Sequence, residues 1–211
     1  MKKELLEPVY KALDRINPGL SDSLEVAFEL VPYLGKLVSH IKLNRLARRF
    51  EEHREQLSRI AKLHSSEIMS AEYINERIFP IVLENLIEEH EDAKIQFILN
   101  GFENVFIEEK TMESMVLNYF DTLKDLRYLD IKRLFYLTSL TEEYNFEGEE
   151  EKAVTLNVDV KLQNMGLLGV LSKGMKFGGG GTEDEKEITR ENVIVYSYGK
   201  RFINFIKDRN I

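Results

Sequence analysis

The sequence predicts a mainly α protein, an N-terminal helical bundle followed by a smaller α+β module with a two- or three-stranded antiparallel sheet. Three observations carry this expectation. Apolar residues recur at helical spacing through most of residues 4–137, the pattern of amphipathic helices packed on one another. Within that region Leu46, Phe50, His53, Leu57, Ile60 and His64 alternate steps of four and three, which is a heptad seam. From Leu156 to Asp208 the pattern shortens into a helix, a strand, a glycine-rich tip, a return strand and a closing helix.

At 211 residues the chain has room for one compact body or two small ones. We expect two, a bundle over 1–110 and a module over 111–211. The absence of cysteine removes disulfides, thiol nucleophiles and thiolate metal sites together, and it fits a reducing cytoplasm. The start, Met1-Lys2-Lys3-Glu4-Leu5-Leu6-Glu7-Pro8, has acidic residues and a proline where a secretory signal needs an unbroken apolar region. The most membrane-like stretch, Leu24 to Ile41, carries Glu25, Glu29, Lys36 and His40, which are costly in hydrocarbon. It reads as a buried helix. A formal net charge of −8 disfavours general affinity for DNA, because phosphate contacts need local Lys and Arg.

Taken in order, Leu5, Leu6, Val9, Tyr10, Leu13 and Ile16 form a helix that Asn17-Pro18-Gly19 stops. A second helix begins near Ser21 or Ser23, with Pro32 and Gly35 kinking or splitting it. The exposed positions of the seam helix from Leu43 bear Lys42, Arg45, Arg48, Arg49, Arg54, Arg59 and Lys62 against Glu51, Glu52 and Glu55, so it reads as locally basic. Its apolar stripe needs a partner, either a neighbour in the chain or a second copy, so Leu46, Phe50, His53, Leu57 and Ile60 are candidate interface residues. Ser70 is a candidate cap for the next helix, and Pro80 should kink or restart it. Glu88 to Asp92 reads as a solvated patch, Ala93 to Phe106 as an apolar helix open to interruption at Gly101, and Thr111 as the cap of a further helix. In the module we place helices at about 111–140, broken near Asp125 to Asp130, and at about 155–165. The acidic run Glu142 to Glu151 reads as a loop or ragged end.

Candidate chemistry is sparse. None of the four histidines lies in HExxH, and the residues three before them are Leu37, Phe50, Ala61 and Ile87, so the helical di-metal carboxylate pattern is absent. Gly178-Gly179-Gly180-Gly181 continues into Thr182-Glu183-Asp184-Glu185, which would repel a phosphate, whereas a phosphate loop continues into Gly-Lys-Ser/Thr. No GxSxG occurs. We expect no catalytic residue, metal or cofactor.

Two segments resemble known patterns. Lys161-Leu162-Gln163-Asn164-Met165-Gly166-Leu167-Leu168, followed by Tyr196-Ser197-Tyr198-Gly199-Lys200-Arg201-Phe202, resembles the end of bacterial winged-helix domains, with Ser197 and Tyr198 where Thr commonly opens the last motif. That resemblance implies a wing over about 167–198 and a closing helix over about 199–208. The layout from Leu117-Asn118-Tyr119-Phe120 through Asp130-Ile131-Lys132-Arg133-Leu134 to this ending is similar to the Abi-alpha group of bacterial abortive-infection proteins. It implies phage defence or prophage biology, in a family that supplies no active site to carry over.

The helix near Thr155 to Met165 would be the one presented to a DNA groove. It exposes Lys161, Gln163 and two asparagines beside Asp159, and the wing adds Lys173 and Lys176 before an acidic tip. A reader of DNA needs arginine or lysine forks and several phosphate contacts. The expectation is therefore a non-enzymatic cytoplasmic protein-interaction module, self-associating or meeting another protein. A DNA-binding regulator using Lys161, Lys173 and Lys176 is the alternative. A membrane-active effector exposing Leu24 to Ile41 when triggered is a further one.

Overall fold

The computed structural model describes residues 2–16, 39–64, 70, 72–109, 112–144, 148–171 and 188–209, most of them helical. They divide into two units, residues 1–125 with 205–211, and residues 126–204. The division falls at Asp125/Leu126 rather than at the expected 110/111. The helix after Met112 keeps its apolar side, Val116, Tyr119, Phe120 and Leu123, in the first unit's core.

The first unit contains α1 (Lys2–Ile16), α2 (His40–Glu52), α3 (Arg54–His64), α4 (Phe79–Glu88), α5 (Ile95–Ile107) and α6 (Glu113–Asp125). Ser39 caps α2, its side chain accepting from the Lys42 amide at 3.4 Å. The heptad seam is broken at His53, where the backbone turns (φ −108°, ψ 27°), so one expected helix is two. Its apolar residues pack within the unit, α2 against α1 and α4, and α3 against α5 and α1. Leu46, Phe50, Leu57 and Ile60 are all buried there. The Ser70 hydroxyl accepts the Tyr73 amide at 3.2 Å, as a cap should.

A wide π-type turn, Tyr73–Ile78, precedes α4, and the Phe79 amide reaches back to the Ile74 carbonyl. Pro80 explains the widening. It has no amide to give the preceding turn, and its ring crowds the carbonyl four residues back. Gly101 does not interrupt α5, which runs unbroken through it. Cations that read as solvated also turn inward. Arg49, 1% exposed, donates to the carbonyls of Leu86 (2.5 Å) in the last turn of α4 and of Glu89 (2.9 Å) just beyond it, and to Asp92 (2.6 Å). Arg48 and Arg49 hold the Asp92 carboxyl below its ordinary range. Glu89 pairs with the buried Lys94 at 2.5 Å, so the acidic patch is partly a structural knot.

The second unit contains α7 (Tyr128–Leu137), α8 (Glu149–Asn164), β1 (Leu168–Val170), β2 (Val193–Val195) and most of α9 (Ser197–Ile206). α8 begins well before the expected Thr155. Glu149, Glu150 and Glu151 form its first turn, where acidic side chains meet the positive end of the helix dipole. It ends at Gly166 (φ 68°), with the Leu167 amide bonded to the Leu162 carbonyl at 3.1 Å, a closure that favours glycine. The two strands are antiparallel, Leu168 opposite Val195 and Val170 opposite Val193.

No helix among the described residues is long and apolar enough to cross a membrane. Residues 24–38 of the apolar stretch, the Asn17-Pro18-Gly19 stop, Thr111 and the Gly178–Gly181 run lie outside the described residues.

Candidate interaction surface

The second unit is fastened by two arginines. Arg133 of α7 lies 3% exposed and forks onto Asp159 of α8, with both contacts at 2.8 Å. The same guanidinium donates to the Ile188 carbonyl at 2.6 Å, so one side chain joins two helices to the limb that leads into β2. Arginine suits this position because its planar fork satisfies a carboxylate and still has a donor for a carbonyl. Asp130, 4% exposed, accepts from the Arg127 amide at 2.8 Å and from Lys161 at 2.6 Å.

Arg190 makes the second fastening. It donates to the Tyr136 carbonyl and to Glu142, each at 2.8 Å, and to the Thr141 carbonyl. These carbonyls lie at and beyond the end of α7, where intrahelical donors run out; that of Tyr136 also accepts the Ser139 amide at 3.0 Å. The guanidinium also covers the Tyr136 ring at 4.2 Å. Tyr136 and Tyr144 lie 5.6 Å apart, with Arg133 beside them at 5.7 and 5.0 Å from the ring centres. Burial pushes the Tyr144 hydroxyl above its ordinary range.

On this frame two faces remain open. On α8, Ala153, Val154, Asn157, Val160 and Asn164 are exposed, and the two valines are each 40% accessible. In the hairpin, side chains alternate, which puts Gly169 and Leu171 on the same face as Ile194 and Tyr196. Leu171 is 55% exposed, Tyr196 45% and Ile194 37%. A Cβ at Gly169 would come within 2.2 Å of the Tyr196 hydroxyl, so the tyrosine lies across the glycine. The hairpin face is partly apolar, and the α8 face joins its valines and asparagines to the exposed acids of the first turn.

The residues singled out from the sequence separate. Leu46, Phe50, Leu57 and Ile60 are interior residues of the first unit and present nothing at its surface, while His53 is half-buried at the α2–α3 break. Lys161 belongs to the second unit, where Asp130 holds it. Lys173 and Lys176 lie outside the described residues. Sequence reasoning passed over Arg190, Val154, Val160 and Ile194, and it quoted Arg133 and Tyr196 only within resemblances, without giving either a role. The alternation in Val193-Ile194-Val195-Tyr196 was the available signal for Ile194 and Tyr196.

Among the described residues no cluster of His, Asp and Glu side chains stands together to hold a metal ion. No protein-family model matches the chain, and neither a curated protein nor a solved structure matches it.

Proposed function

We propose that the chain is a non-enzymatic interaction protein whose second unit is a winged-helix-like module that meets another protein, in phage defence or prophage biology. The outward face of α8 carries this reading. In a winged helix that groove-facing helix would supply arginine and lysine forks to bases and phosphates. Beyond its acidic first turn and Lys152, its open positions here are alanine, valine and asparagine. The lysine singled out on it is spent on Asp130. Exposed valines flanked by amides suit a protein partner, because apolar area is gained on contact.

A phage challenge tests this. Cells carrying the intact gene should be protected, and Val160→Glu with Ile194→Glu should remove protection while the thermal midpoint stays within a few degrees. Unchanged protection in that double variant would sink the protein-contact reading. Salt-dependent binding of the purified protein to duplex DNA, lost on Lys161→Glu with Lys173→Glu and Lys176→Glu, would install the DNA-binding alternative in its place.

A further inference from the structure

Helix α8 turns Thr155, Val158, Asp159 and Leu162 inward. On its opposite side Glu150, Ala153, Val154, Asn157, Val160 and Lys161 fall on one stripe by helical spacing. Lys152 lies outside that stripe. Val154 and Val160 are each 40% exposed, and the Lys161 side chain 35%.

The stripe is made of residues that do the helix no local service. Valine loses rotamer freedom in a helix, and asparagine competes with its backbone hydrogen bonds. At Val154, Asn157 and Val160, alanine, glutamate or lysine would steady α8 more. Buried weak helix formers are repaid by packing, as at Val158, but these three positions are exposed. A residue choice that opposes its own element marks a position answering another demand, and contact with a further helix is such a demand.

The order of the stripe says which helix. It is acidic at its N-terminal end, basic at its C-terminal end and amide at its centre. A parallel copy would set Glu150 against Glu150 and Lys161 against Lys161. An antiparallel copy turned about Asn157 instead brings Glu150 towards Lys161 of the second copy. It also lays Val160 on Ala153, large on small, and Val154 along the methylene stem of Lys161. Asn157 then meets itself on the axis, where each carboxamide offers the other a donor and an acceptor, and a lone asparagine between helices fixes their register.

We propose that α8 pairs with α8 of a second copy, antiparallel about a two-fold axis at Asn157. The inference rests on the reading of this face as a protein-contact surface, and it names the partner. The contact is isologous and closes as a dimer. A pair of 16-residue helices makes a small interface, so the association is weak and follows concentration.

Sedimentation of the full chain should show monomer passing to dimer with a Kd of about 100 μM. Val160→Glu should raise that Kd at least tenfold while the thermal midpoint holds. Monomer throughout, up to about 1 mM, would overturn the pair, as would association that survives Val160→Glu at full strength. The absence of cysteine allows the orientation to be read separately. Asn157→Cys should oxidise to a cross-linked dimer. Glu150→Cys should not, because its two thiols would stand on the order of 20 Å apart along the pair. Equal cross-linking of the two variants, or none at Asn157→Cys, would overturn the antiparallel pair. Phage challenge keeps the two readings apart. Protection lost in Val160→Glu while the parent stays monomeric would give the face to a different protein and overturn the pair alone. A dimer cross-linked through Asn157→Cys would support the pair even where protection is unchanged and the functional reading fails.

Discussion

Gly101 and Gly169 both leave a gap that an aromatic side chain fills, yet they differ in what a methyl group would cost. At Gly101 the added Cβ meets the ring of Phe205, which is fully buried between Tyr119 and Phe120. At Gly169 it meets Tyr196, 45% exposed, whose side chain can swing into solvent. Gly101→Ala should therefore lose about 1–3 kcal/mol by overpacking, and Gly169→Ala less than about 0.5 kcal/mol. Urea denaturation of the two variants checks the contrast. His53 gives a pH signature. Burial holds its imidazole below the ordinary 6.5; Glu52 opposes this and Arg49 adds to it. The folded state then binds the proton more weakly than the unfolded chain, so this contribution is complete above about pH 6.5 and is lost as pH falls below it. The fall in urea midpoint between about pH 7.5 and pH 5 should be smaller in His53→Gln than in the parent. At this scale the sequence was partly legible. Ser70 as a cap could be read locally, but Arg49 could not be placed. Its position on the helix wheel carries no sign that the Leu86 and Glu89 carbonyls need a donor there.

Among the elements, α8 and the limb entering β2 depend on a single buried pair. Removing one partner, as in Arg133→Met, leaves Asp159 charged and dry, and should cost about 3–5 kcal/mol. Replacing both, as in Arg133→Met with Asp159→Leu, should recover most of that loss, because an apolar pair of similar volume is often neutral. The Ile188 carbonyl, left without its donor, should keep the double variant somewhat below the parent. Thermal unfolding of the three proteins decides it. Helix periodicity located α1, α5 and α6 well, since each has a continuous apolar side. It misplaced the start of α8. The Glu149-Glu150-Glu151 run reads as loop by composition, yet it forms a favourable first turn once a helix axis stands behind it. The π-type turn was foreseeable only as a disturbance at Pro80. Its form depends on which carbonyl the Phe79 amide finds.

At the scale of the molecule, the heptad seam could have closed within the chain or between copies, and periodicity cannot distinguish the two. Leu46, Phe50, Leu57 and Ile60 are interior residues of the first unit. Leu57→Ala should accordingly cost about 2–5 kcal/mol, with an unfolding midpoint shift that is the same at every protein concentration, unlike that of a seam shared between chains. The boundary between units was less legible than the helices. It depends on which core each helix joins, and the side chains that decide this, such as Phe205 beside Phe120, lie far apart in sequence. The hairpin base has a practical meaning for protein engineering. Leu171 donates its amide to the Asn192 carbonyl at 2.8 Å, so these two positions are held side by side. Closing a loop on fixed ends costs only about 0.6 kcal/mol for each doubling of its length. An insertion between Leu171 and Asn192 keeps both anchor points, which suits the grafting of a tag, a fluorophore or a guest domain.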